Sequence, residues 1–231
     1  MRWFVAVAVL AHAGGCDAVF RLDHIEGGSA DARHDGVTSD TVDTSARCSA
    51  ALDELFSDGE PCSPWATANT TAAAMLEETD LGLVVTPSTV MTGSRAGCFG
   101  NAGYPFGQDG VMVEVDEVLT GASDEYTTLE LTADMAVGVS DGRLVMANNL
   151  GTTEYAQLAY VPADMRWWRI LPTSDRSGIE AQYSADGRSW SRLGITPFVV
   201  PENVAINVQA GVAATSSGAG RAVFRRLIVC R

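Results

Sequence analysis

From about residue 48 onward, apolar and other residues alternate in short segments separated by turn signals. Val111, Val113 and Val115 alternate with other residue types, and so do Leu129 and Leu131. Alternation with a period of two is typical of strands that bury one face. Similar segments are 81–86, 143–147, 166–171, 179–184, 203–213 and 222–229. A dozen or so short strands in one run predict an all-β, antiparallel two-sheet sandwich or jelly roll.

Two turns and one ambiguous segment complete this pattern. Asp141-Gly142 and Asp186-Gly187 follow predicted strands, and such dipeptides tolerate the positive φ of hairpin turns. Segment 72–78 is the one stretch whose composition allows a helical turn, although strand pairing can override that preference.

The same alternation predicts which side chains face away from the core, because successive residues of a strand point to opposite faces. If Val111, Val113 and Val115 face inward, Glu114 between them faces outward. Applied to the other strands, this rule predicts that the outward residues include Glu130, Trp167, Arg169, Gln182, Asn207 and Gln209.

The first sixteen residues have the pattern of an export signal. Arg2 precedes the apolar residues 3–11, which are too few to span a bilayer, and Ala13-Gly14-Gly15 leads to Cys16. This resembles the lipobox of bacterial lipoproteins, although Ala13 stands where leucine or a similar residue is usual. The resemblance implies a lipid anchor on Cys16 and a location in the bacterial cell envelope, in either the inner or the outer membrane. An ordinary secretory signal with an incidental cysteine is the alternative.

After Cys16, the chain is poor in residues that a core could bury. Residues 19–25 are briefly apolar and are a candidate segment for docking a partner, whereas residues 26–47 are rich in Gly, Ser, Asp and Thr. Such a composition does not offset the entropy of ordering. The predicted organisation is therefore a signal peptide at 1–15, a lipidated and disordered tether at 16–47, and a β-sandwich domain at 48–231.

Charge and cysteine content limit the chemistry of the chain. A net charge of −14 repels phosphate backbones, which argues against a nucleic-acid partner and against an anionic lipid surface as ligand. Besides Cys16, four cysteines remain; in an exported chain an even number predicts two disulfides, for which three connectivities exist. The three histidines, at positions 12, 24 and 34, lie outside the predicted domain, so no zinc site is expected.

Near the C-terminus, several motifs follow one another in a recognisable order. Arg166-Trp167-Trp168-Arg169-Ile170 is followed by the hairpin from Ser184 to Trp190, then by strands at 204–211 and 222–229. This order resembles the concanavalin A-like lectin/glucanase superfamily, in its laminin-G-like jelly-roll branch. The resemblance covers residues 48–231; Arg225 departs from it, since an aspartate often follows the phenylalanine of the last strand.

The resemblance implies a set of contacts within the domain. The first and last strands of such a fold pair antiparallel, 51–56 against 224–229, which would bring Cys48 to Cys230 and leave Cys62 to pair with Cys98. Trp190 is expected at the edge of the core rather than stacked on a sugar.

The resemblance also implies a function. One sheet of such a fold is concave and often carries the ligand, so the hypothesis is that a glycan binds Trp167, Arg169, Gln182, Asn207 and Glu114 on one face. The alternatives are a solvated face with Trp167 tucked under a loop, and a structural or protein–protein interaction module of the envelope.

An enzyme is not expected. Some glucanases of the superfamily carry three acidic residues in alternation, and Glu114-Val115-Asp116 begins such a motif, but Val118 occupies the third position and Glu117 has the wrong parity. A retaining glycosidase requires both carboxylates, so no catalytic residue is predicted. No cofactor or metal is predicted either; calcium occurs at the rim of some of these folds, but no calcium-loop spacing supports it here.

Overall fold

The computed structural model of the chain describes residues 48–101, 103–120, 124–131, 135–148, 153–214 and 220–231. The predictions about the export signal, Cys16 and the tether concern residues 1–47 and lie outside this part of the chain. Every regular element in the described residues is a β-strand. A search of the same residues finds no helix with the length and apolar character needed to cross a membrane.

Seventeen strands follow one another along the described residues. The first nine are β1 (Ala50–Glu54), β2 (Ala66–Thr71), β3 (Met75–Thr79), β4 (Gly82–Thr86), β5 (Arg95–Gly100), β6 (Tyr104–Pro105), β7 (Val111–Glu117), β8 (Glu125–Leu131) and β9 (Met135–Ser140). The other eight are β10 (Arg143–Ala147), β11 (Glu154–Ala159), β12 (Trp167–Pro172), β13 (Gly178–Ser184), β14 (Ser191–Pro197), β15 (Asn203–Val204), β16 (Ile206–Val212) and β17 (Ala222–Cys230).

These strands form two large antiparallel sheets and one small one. The eight-stranded sheet has the order β14-β13-β12-β7-β17-β4-β3, and β1 also pairs with β17. The seven-stranded sheet has the order β11-β10-β9-β8-β16-β5-β2, and β15 pairs with β6. The predicted all-β, two-sheet antiparallel sandwich is confirmed.

The alternating apolar residues form the core between the sheets. Val111, Val113 and Val115 of β7 are at most 1% exposed, and they belong to the same buried cluster as Leu129 and Leu131 of β8 in the other sheet. Burying a side chain of this size contributes about 1.5–3 kcal/mol. Each sheet therefore has an inner face in the core and an outer face that points away from it.

Segment 72–78 contains no helical turn. Met75–Thr79 is β3, which pairs with β4 along its whole length, from Met75 opposite Thr86 to Thr79 opposite Gly82. Pairing with β4 satisfies backbone groups that a single helical turn would leave unpaired. Strand pairing therefore overrides the helical preference of this segment, the second of the two possibilities that the sequence left open.

Both predicted disulfides are present. β1 pairs with the end of β17, from Ala50 opposite Cys230 to Glu54 opposite Leu227. Cys48 and Cys230 are bonded with Cα atoms 5.4 Å apart, and Cys62 and Cys98 with Cα atoms 5.2 Å apart. One bond joins the first and last strands of the eight-stranded sheet, and the other ties the segment before β2 to β5.

Candidate functional site on the seven-stranded sheet

The outer face of the seven-stranded sheet is defined by strand alternation. Leu129 and Leu131 are core residues, so Thr128 and Glu130 of the same strand point outward. Directly paired residues point to the same face, which extends this orientation to the neighbouring strands. The outward residues are Arg95, Gly97 and Phe99 in β5, Asn207, Gln209 and Gly211 in β16, Tyr126, Thr128 and Glu130 in β8, Ala136, Gly138 and Ser140 in β9, and Arg143, Val145 and Ala147 in β10.

Four polar residues at the centre of this face form one network, the Glu130 cluster. Gln209 pairs with Thr128 and Asn207 pairs with Glu130 across β16 and β8. The Thr128 hydroxyl and Gln209 Nε2 both donate to Glu130 Oε1, at 3.1 and 2.7 Å. Thr128, Glu130 and Gln209 are 1%, 6% and 2% exposed. The cluster is thus a buried polar network outside the apolar core.

The surroundings of Glu130 favour its neutral form. Burial raises the pKa of Glu130 above its ordinary value, because it penalises the charged carboxylate. Hydrogen bonds from Gln209, Thr128 and Asn207, together with the positive charge of Arg95, act in the opposite direction. The result is a carboxyl group that neutral donors hold in place and that is reluctant to ionise.

The amide oxygen of Gln209 has no hydrogen-bond partner. Its Nε2 is committed to Glu130, which directs the amide oxygen away from that carboxyl. Gln209 Oε1 is buried and has no hydrogen-bond partner. A buried acceptor without a donor costs about 1–3 kcal/mol. The outer face therefore contains a buried acceptor that lacks a donor.

Arg95 and Tyr126 border the Glu130 cluster. Both pair with Gly211 of β16, one on each side. Burial raises the pKa of Tyr126 to about 12, against the opposing effects of the charge of Arg95 and of a hydrogen bond with it. At neutral pH the Tyr126 hydroxyl therefore keeps its proton, and this part of the face offers a cation and a hydroxyl next to each other.

On the other side of the Glu130 cluster, β9 forms a low floor. Its outward residues are Ala136, Gly138 and Ser140, all small. A Cβ atom at Gly138 would lie 2.7 Å from Cγ2 of Thr128, so this position requires glycine. Beyond the floor, Arg143 rises from β10. The outward side chains between the Glu130 cluster and Arg143 are therefore small, and Ala136 and Ser140 are 2% and 4% exposed.

Of the five predicted ligand-binding residues, Asn207 lies on this face and the other four do not. Trp167, Arg169, Gln182 and Glu114 lie on β12, β13 and β7, where they pair across the outer face of the eight-stranded sheet. The hypothesis that all five share one face was therefore wrong. Alternation tells inward from outward along each strand, but it does not tell which sheet a strand joins.

Trp167 is covered by the hairpin that follows β13. A Cβ atom at Gly187 would lie 3.0 Å from Cδ2 and Cε2 of the indole, and φ of Gly187 is +70°, so glycine is needed both for the turn and for the contact. Trp167 is half-buried. This is the arrangement anticipated by the alternative in which Trp167 is tucked under a loop.

Arg169 is buried rather than exposed on the outer face. It is 6% exposed, its Nε donates to Gln182 Oε1 at 2.7 Å, and its guanidinium lies 4.2 Å from the ring centroid of Trp190. Burial lowers the pKa of Arg169 to about 10, although Asp109 and Glu180 oppose this shift. Trp190 thus lies against Arg169 on the outer face, and its expected position at the core edge was wrong.

Glu114 and Asp116 both form ion pairs with arginines. Arg166 Nη2 lies 2.9 Å from Glu114 and 3.2 Å from Asp116, and Arg225 Nη2 lies 2.8 Å from Asp116. Arg225 follows Phe224 in the last strand, at the position where the sequence departs from the aspartate noted above. Both carboxylates are thus held by arginines on the outer face of the eight-stranded sheet.

The unpaired polar atoms help to locate the site. In the described residues, the buried side-chain nitrogen and oxygen atoms without a partner are Trp65 Nε1, Arg143 Nε, Glu154 Oε1, Arg166 Nε and Gln209 Oε1. Arg143 and Gln209 both lie on the outer face of the seven-stranded sheet. Alternation had already predicted that Gln209 and Glu130 face outward. The sequence did not indicate that these two residues lie on the same sheet. It also gave no indication that Arg95, Tyr126 and Arg143 lie on the same face.

Metal ligands do not cluster within the part of the chain that the structure covers. No group of three or more His, Cys, Asp or Glu side chains in these residues is placed to hold a metal ion. The expectations about calcium and other cofactors stay predictions.

No protein-family model matches the chain, and no curated protein matches it. Among solved structures, the chain is similar to the carbohydrate recognition domain of Emp47p, with a TM-score of 0.48, 13% identity and coverage of 71% of this chain and 89% of that one. It is similar to lectin II from Ulex europaeus, with a TM-score of 0.46, 11% identity and coverage of 79% and 100%. It is also similar to a glycosyl hydrolase family protein from Mycobacterium fortuitum, with a TM-score of 0.48, 11% identity and coverage of 78% and 99%. At such identities no residue role passes from these proteins to this chain.

Proposed function

We propose that this chain is an exported, lipid-anchored protein that binds a glycan, without hydrolysing it, on the outer face of its seven-stranded sheet. The observation that carries the proposal is Gln209, which is 2% exposed and lies outside the apolar core with its amide oxygen lacking a donor. Because Nε2 is already held by Glu130, the amide oxygen is the atom of Gln209 to which a hydroxyl of the ligand would donate.

The surrounding side chains suit a ligand rich in hydroxyl groups. A sugar hydroxyl donates and accepts at once, so it can satisfy Gln209 Oε1 while accepting from a neighbouring donor. The Arg95 guanidinium beside the cluster is such a donor, and the half-buried ring of Phe99 supplies an apolar surface on the same face. Apolar surface with a few convergent polar groups is typical of small-molecule and glycan sites.

The acidic side chains on this face favour binding over hydrolysis. Glycoside hydrolysis by the common mechanisms uses two carboxyl groups, about 5–5.5 Å apart in retaining enzymes and about 6.5–9.5 Å apart in inverting ones. Glu130 is the one carboxyl group among the outward residues of β5, β16, β8, β9 and β10. Glu154 of β11 pairs with the outward Ala147 and lies three strand spacings from Glu130, about 14 Å, which is wider than either separation. The pKa of Glu130 is raised by burial, and its hydrogen bonds go to neighbouring side chains.

The anchor part of the proposal rests on residues 2–16 of the sequence. A basic residue, an apolar stretch and a small-residue triplet lead to Cys16, which would receive the lipid. We expect the wild-type chain to incorporate labelled palmitate in a bacterial host and to fractionate with membranes. Cys16→Ala should lose the label. Labelling that persists in Cys16→Ala, or its absence in both chains, would contradict the anchor.

Glycan binding is tested with the full-length chain, purified in detergent with its disulfides oxidised, on an array of oligosaccharides and in pull-downs with insoluble polysaccharides. We expect a specific glycan to be retained, and Gln209→Ala to weaken its binding about tenfold or more, the loss that corresponds to one hydrogen bond at the centre of a site.

The matched control is Gln182→Ala, the same substitution on the outer face of the eight-stranded sheet. It should bind like the wild-type chain, and melting temperatures of all three chains establish that they are folded. If the folded wild-type chain retains no glycan, or if Gln209→Ala binds as well as wild type, the proposal fails. A blank array would direct the search to a protein partner of the envelope, through crosslinking in membranes.

A further inference from the structure

The Glu130 carboxyl group is surrounded by hydrogen-bond donors. The Thr128 hydroxyl and Gln209 Nε2 both donate to its Oε1, at 3.1 and 2.7 Å, and Asn207 also forms a hydrogen bond with it. An ionised carboxylate only accepts hydrogen bonds, so this arrangement suits the charged form. The protonated form carries an O–H group of its own, and this group needs an acceptor.

The two amides beside Glu130 differ in how firmly they are held. Asn207 Oδ1 accepts from the Gly100 N–H at 3.3 Å, so this amide is held at both its oxygen and its nitrogen. Gln209 is held through Nε2 alone, because its Oε1 has no partner. Half a turn about the last bond of Gln209 exchanges the oxygen and the NH₂ group, which are nearly equal in size. Gln209 is thus the amide that can present either end to Glu130.

The number of unpaired buried groups shows which orientation each protonation state prefers. With Glu130 ionised, the arrangement in the structure leaves one such atom in the Glu130 cluster, Gln209 Oε1. With Glu130 protonated and Gln209 unturned, the new O–H group is a second one. If Gln209 turns, its Oε1 accepts from this O–H group and Nε2 is the one group left unpaired.

The Thr128 hydroxyl is the other side chain that could accept the new proton. If it turned to do so, its own proton would be left unpaired in addition to Gln209 Oε1. Each unpaired buried polar group costs free energy, so the protonated state favours the turned Gln209 amide.

We propose that Glu130 and Gln209 form a proton-operated switch, in which the Glu130 carboxylate takes up one proton from solvent and the Gln209 carboxamide turns to accept a hydrogen bond from it. Release of the proton to solvent restores the arrangement in the structure. The group left unpaired thereby changes from an acceptor, Oε1, to a donor, Nε2. The switch is a property of the chain itself and goes beyond the proposed function. Its consequence for a ligand rests on that function: a glycan hydroxyl donates to Gln209 above the transition and accepts from it below.

The neighbours of Glu130 do not titrate with it. Among the described residues, the outward charged or titratable groups nearby are Arg95 on β5 and Tyr126 on β8, and the facing positions of β9 and β16 are uncharged. Arginine keeps its charge throughout, and the raised pKa of Tyr126, about 12, keeps its hydroxyl protonated. Burial raises the pKa of Glu130 above 4.5, against the hydrogen bonds of the cluster and the charge of Arg95, so the transition lies above that pH.

A matched pair on the eight-stranded sheet lacks this freedom. Gln182 Nε2 donates to Glu180 Oε1, as Gln209 Nε2 does to Glu130. Gln182 Oε1, however, accepts from Arg169 Nε at 2.7 Å, and Glu180 is paired with Arg192. Turning Gln182 would direct its NH₂ group at the Arg169 guanidinium, so this amide should keep its orientation at every pH. The pair is therefore an internal control.

The test is a pH titration of the full-length chain by nuclear magnetic resonance, in detergent, without glycan and with the disulfides oxidised. The signals of the Gln209 side-chain amide should shift with the same midpoint as the carboxyl carbon of Glu130. In the ionised state, the Gln209 amide protons should give nuclear Overhauser contacts with the Glu130 methylene protons, and these contacts should be lost in the protonated state. The corresponding contacts between Gln182 and Glu180 should persist through that midpoint.

Two variants complete the test. Gln209→Ala identifies the Gln209 signals by their loss. Glu130→Gln replaces the carboxyl group by an amide that does not titrate, so the Gln209 signals should become independent of pH. The wild-type titration suffices if Glu130→Gln does not accumulate.

Three results would overturn the switch. One is that the contacts between Gln209 and Glu130 persist at both ends of the titration, and another is that the Glu130 carboxyl carbon does not titrate in the folded chain. The third is a simultaneous loss of the contacts between Gln182 and Glu180, because the change would then be a general one. No glycan is involved in these measurements, so a failure of the proposed function leaves the outcome of this test unaffected.

Discussion

The polar side chains on the outer faces of the two sheets have different kinds of partners. On the eight-stranded sheet, charges meet charges: Arg166 pairs with Glu114 and Asp116, and Arg226 pairs with Asp53. On the seven-stranded sheet, the central carboxyl group of Glu130 is held by neutral donors, and it leaves Gln209 with an unused oxygen. On a face whose charged groups are already paired, few polar groups remain for a ligand to bind. Polar atoms without a partner favour binding.

The basic residues strengthen this contrast. The sequence contains 15 basic residues besides histidine, and every one is arginine. The planar guanidinium matches a carboxylate with two parallel hydrogen bonds. Arg226 binds Asp53 in this way, at 2.7 and 2.6 Å, and Arg221 binds Glu117 at 2.9 and 2.6 Å. Several arginines are therefore paired with carboxylates, although acidic residues outnumber basic ones by 29 to 15.

The largest expected effect on the free energy of unfolding comes from a core residue of β12, compared with its neighbour on the outer face. Trp168 is 0% exposed and donates its Nε1 proton to the Met165 carbonyl at 2.8 Å, whereas its neighbour Trp167 lies outside under Gly187. Trp168→Ala should lower the free energy of unfolding by about 3–5 kcal/mol. Trp167→Ala should cost about 1 kcal/mol and leave glycan binding unchanged.

Urea denaturation and the glycan array test this pair together. Trp168→Phe, a milder change, provides a folded core variant if the alanine variant does not accumulate. Loss of glycan binding in a folded Trp167→Ala would return the site to the eight-stranded sheet and reverse the comparison of the two faces.

The two disulfides should stabilise the domain unequally. Cys48–Cys230 closes a loop with a sequence separation of 182, and Cys62–Cys98 one with a separation of 36. In the chain-entropy account the stabilisation grows with the logarithm of loop length, which gives the longer loop about 1.4 kcal/mol more. Replacing each pair by alanines and comparing urea midpoints tests this. Equal losses would mean that contacts in the folded state, rather than the unfolded chain, determine the difference.

The parts of the fold that depend on local pattern were predictable, and those that depend on long-range pairing were not. The inward positions of Val113, Leu129 and Trp168 follow from alternation alone. The assignment of Asn207 to the same face as Trp167 failed because both residues point outward from different sheets, and no local signal distinguishes those cases. The position of Arg143 on the same outer face as Gln209 was not predictable either, because it depends on the strand order, which places β10 three spacings from β16.

Glu130 and the paired carboxylates should respond to pH in opposite directions. The pKa of Glu130 is raised from 4.5, so the folded state holds its proton more firmly than the unfolded state does. Its contribution to stability is therefore present below pH 4.5 and is lost as the pH rises through the raised pKa. Glu130→Gln removes this titration. The variant should become more stable relative to wild type as the pH rises from 4.5 toward neutrality.

Urea unfolding at a series of pH values measures this difference. A stability difference between Glu130→Gln and wild type that does not change with pH would show that Glu130 ionises as easily in the folded chain as in the unfolded one. In that case the Glu130 cluster would be solvated, and the contrast with the ion-paired face would lose its basis.

The smallest expected effect belongs to the ion pair at the edge of the eight-stranded sheet. The hydrogen bond from Arg226 lowers the pKa of Asp53 below 3.8, with burial opposing the shift. Its stabilising contribution is present above pH 3.8 and is lost as the pH falls through the lowered pKa. The Asp53 side chain is 41% exposed, so solvent screens the pair, and Asp53→Asn should cost less than about 1 kcal/mol at pH 7.

The loss should shrink in high salt and vanish in acid, in contrast to the relative gain that Glu130→Gln shows as the pH rises. If Asp53→Asn cost as much as a core substitution, the charged face would be a major source of stability rather than a matched, weakly contributing surface.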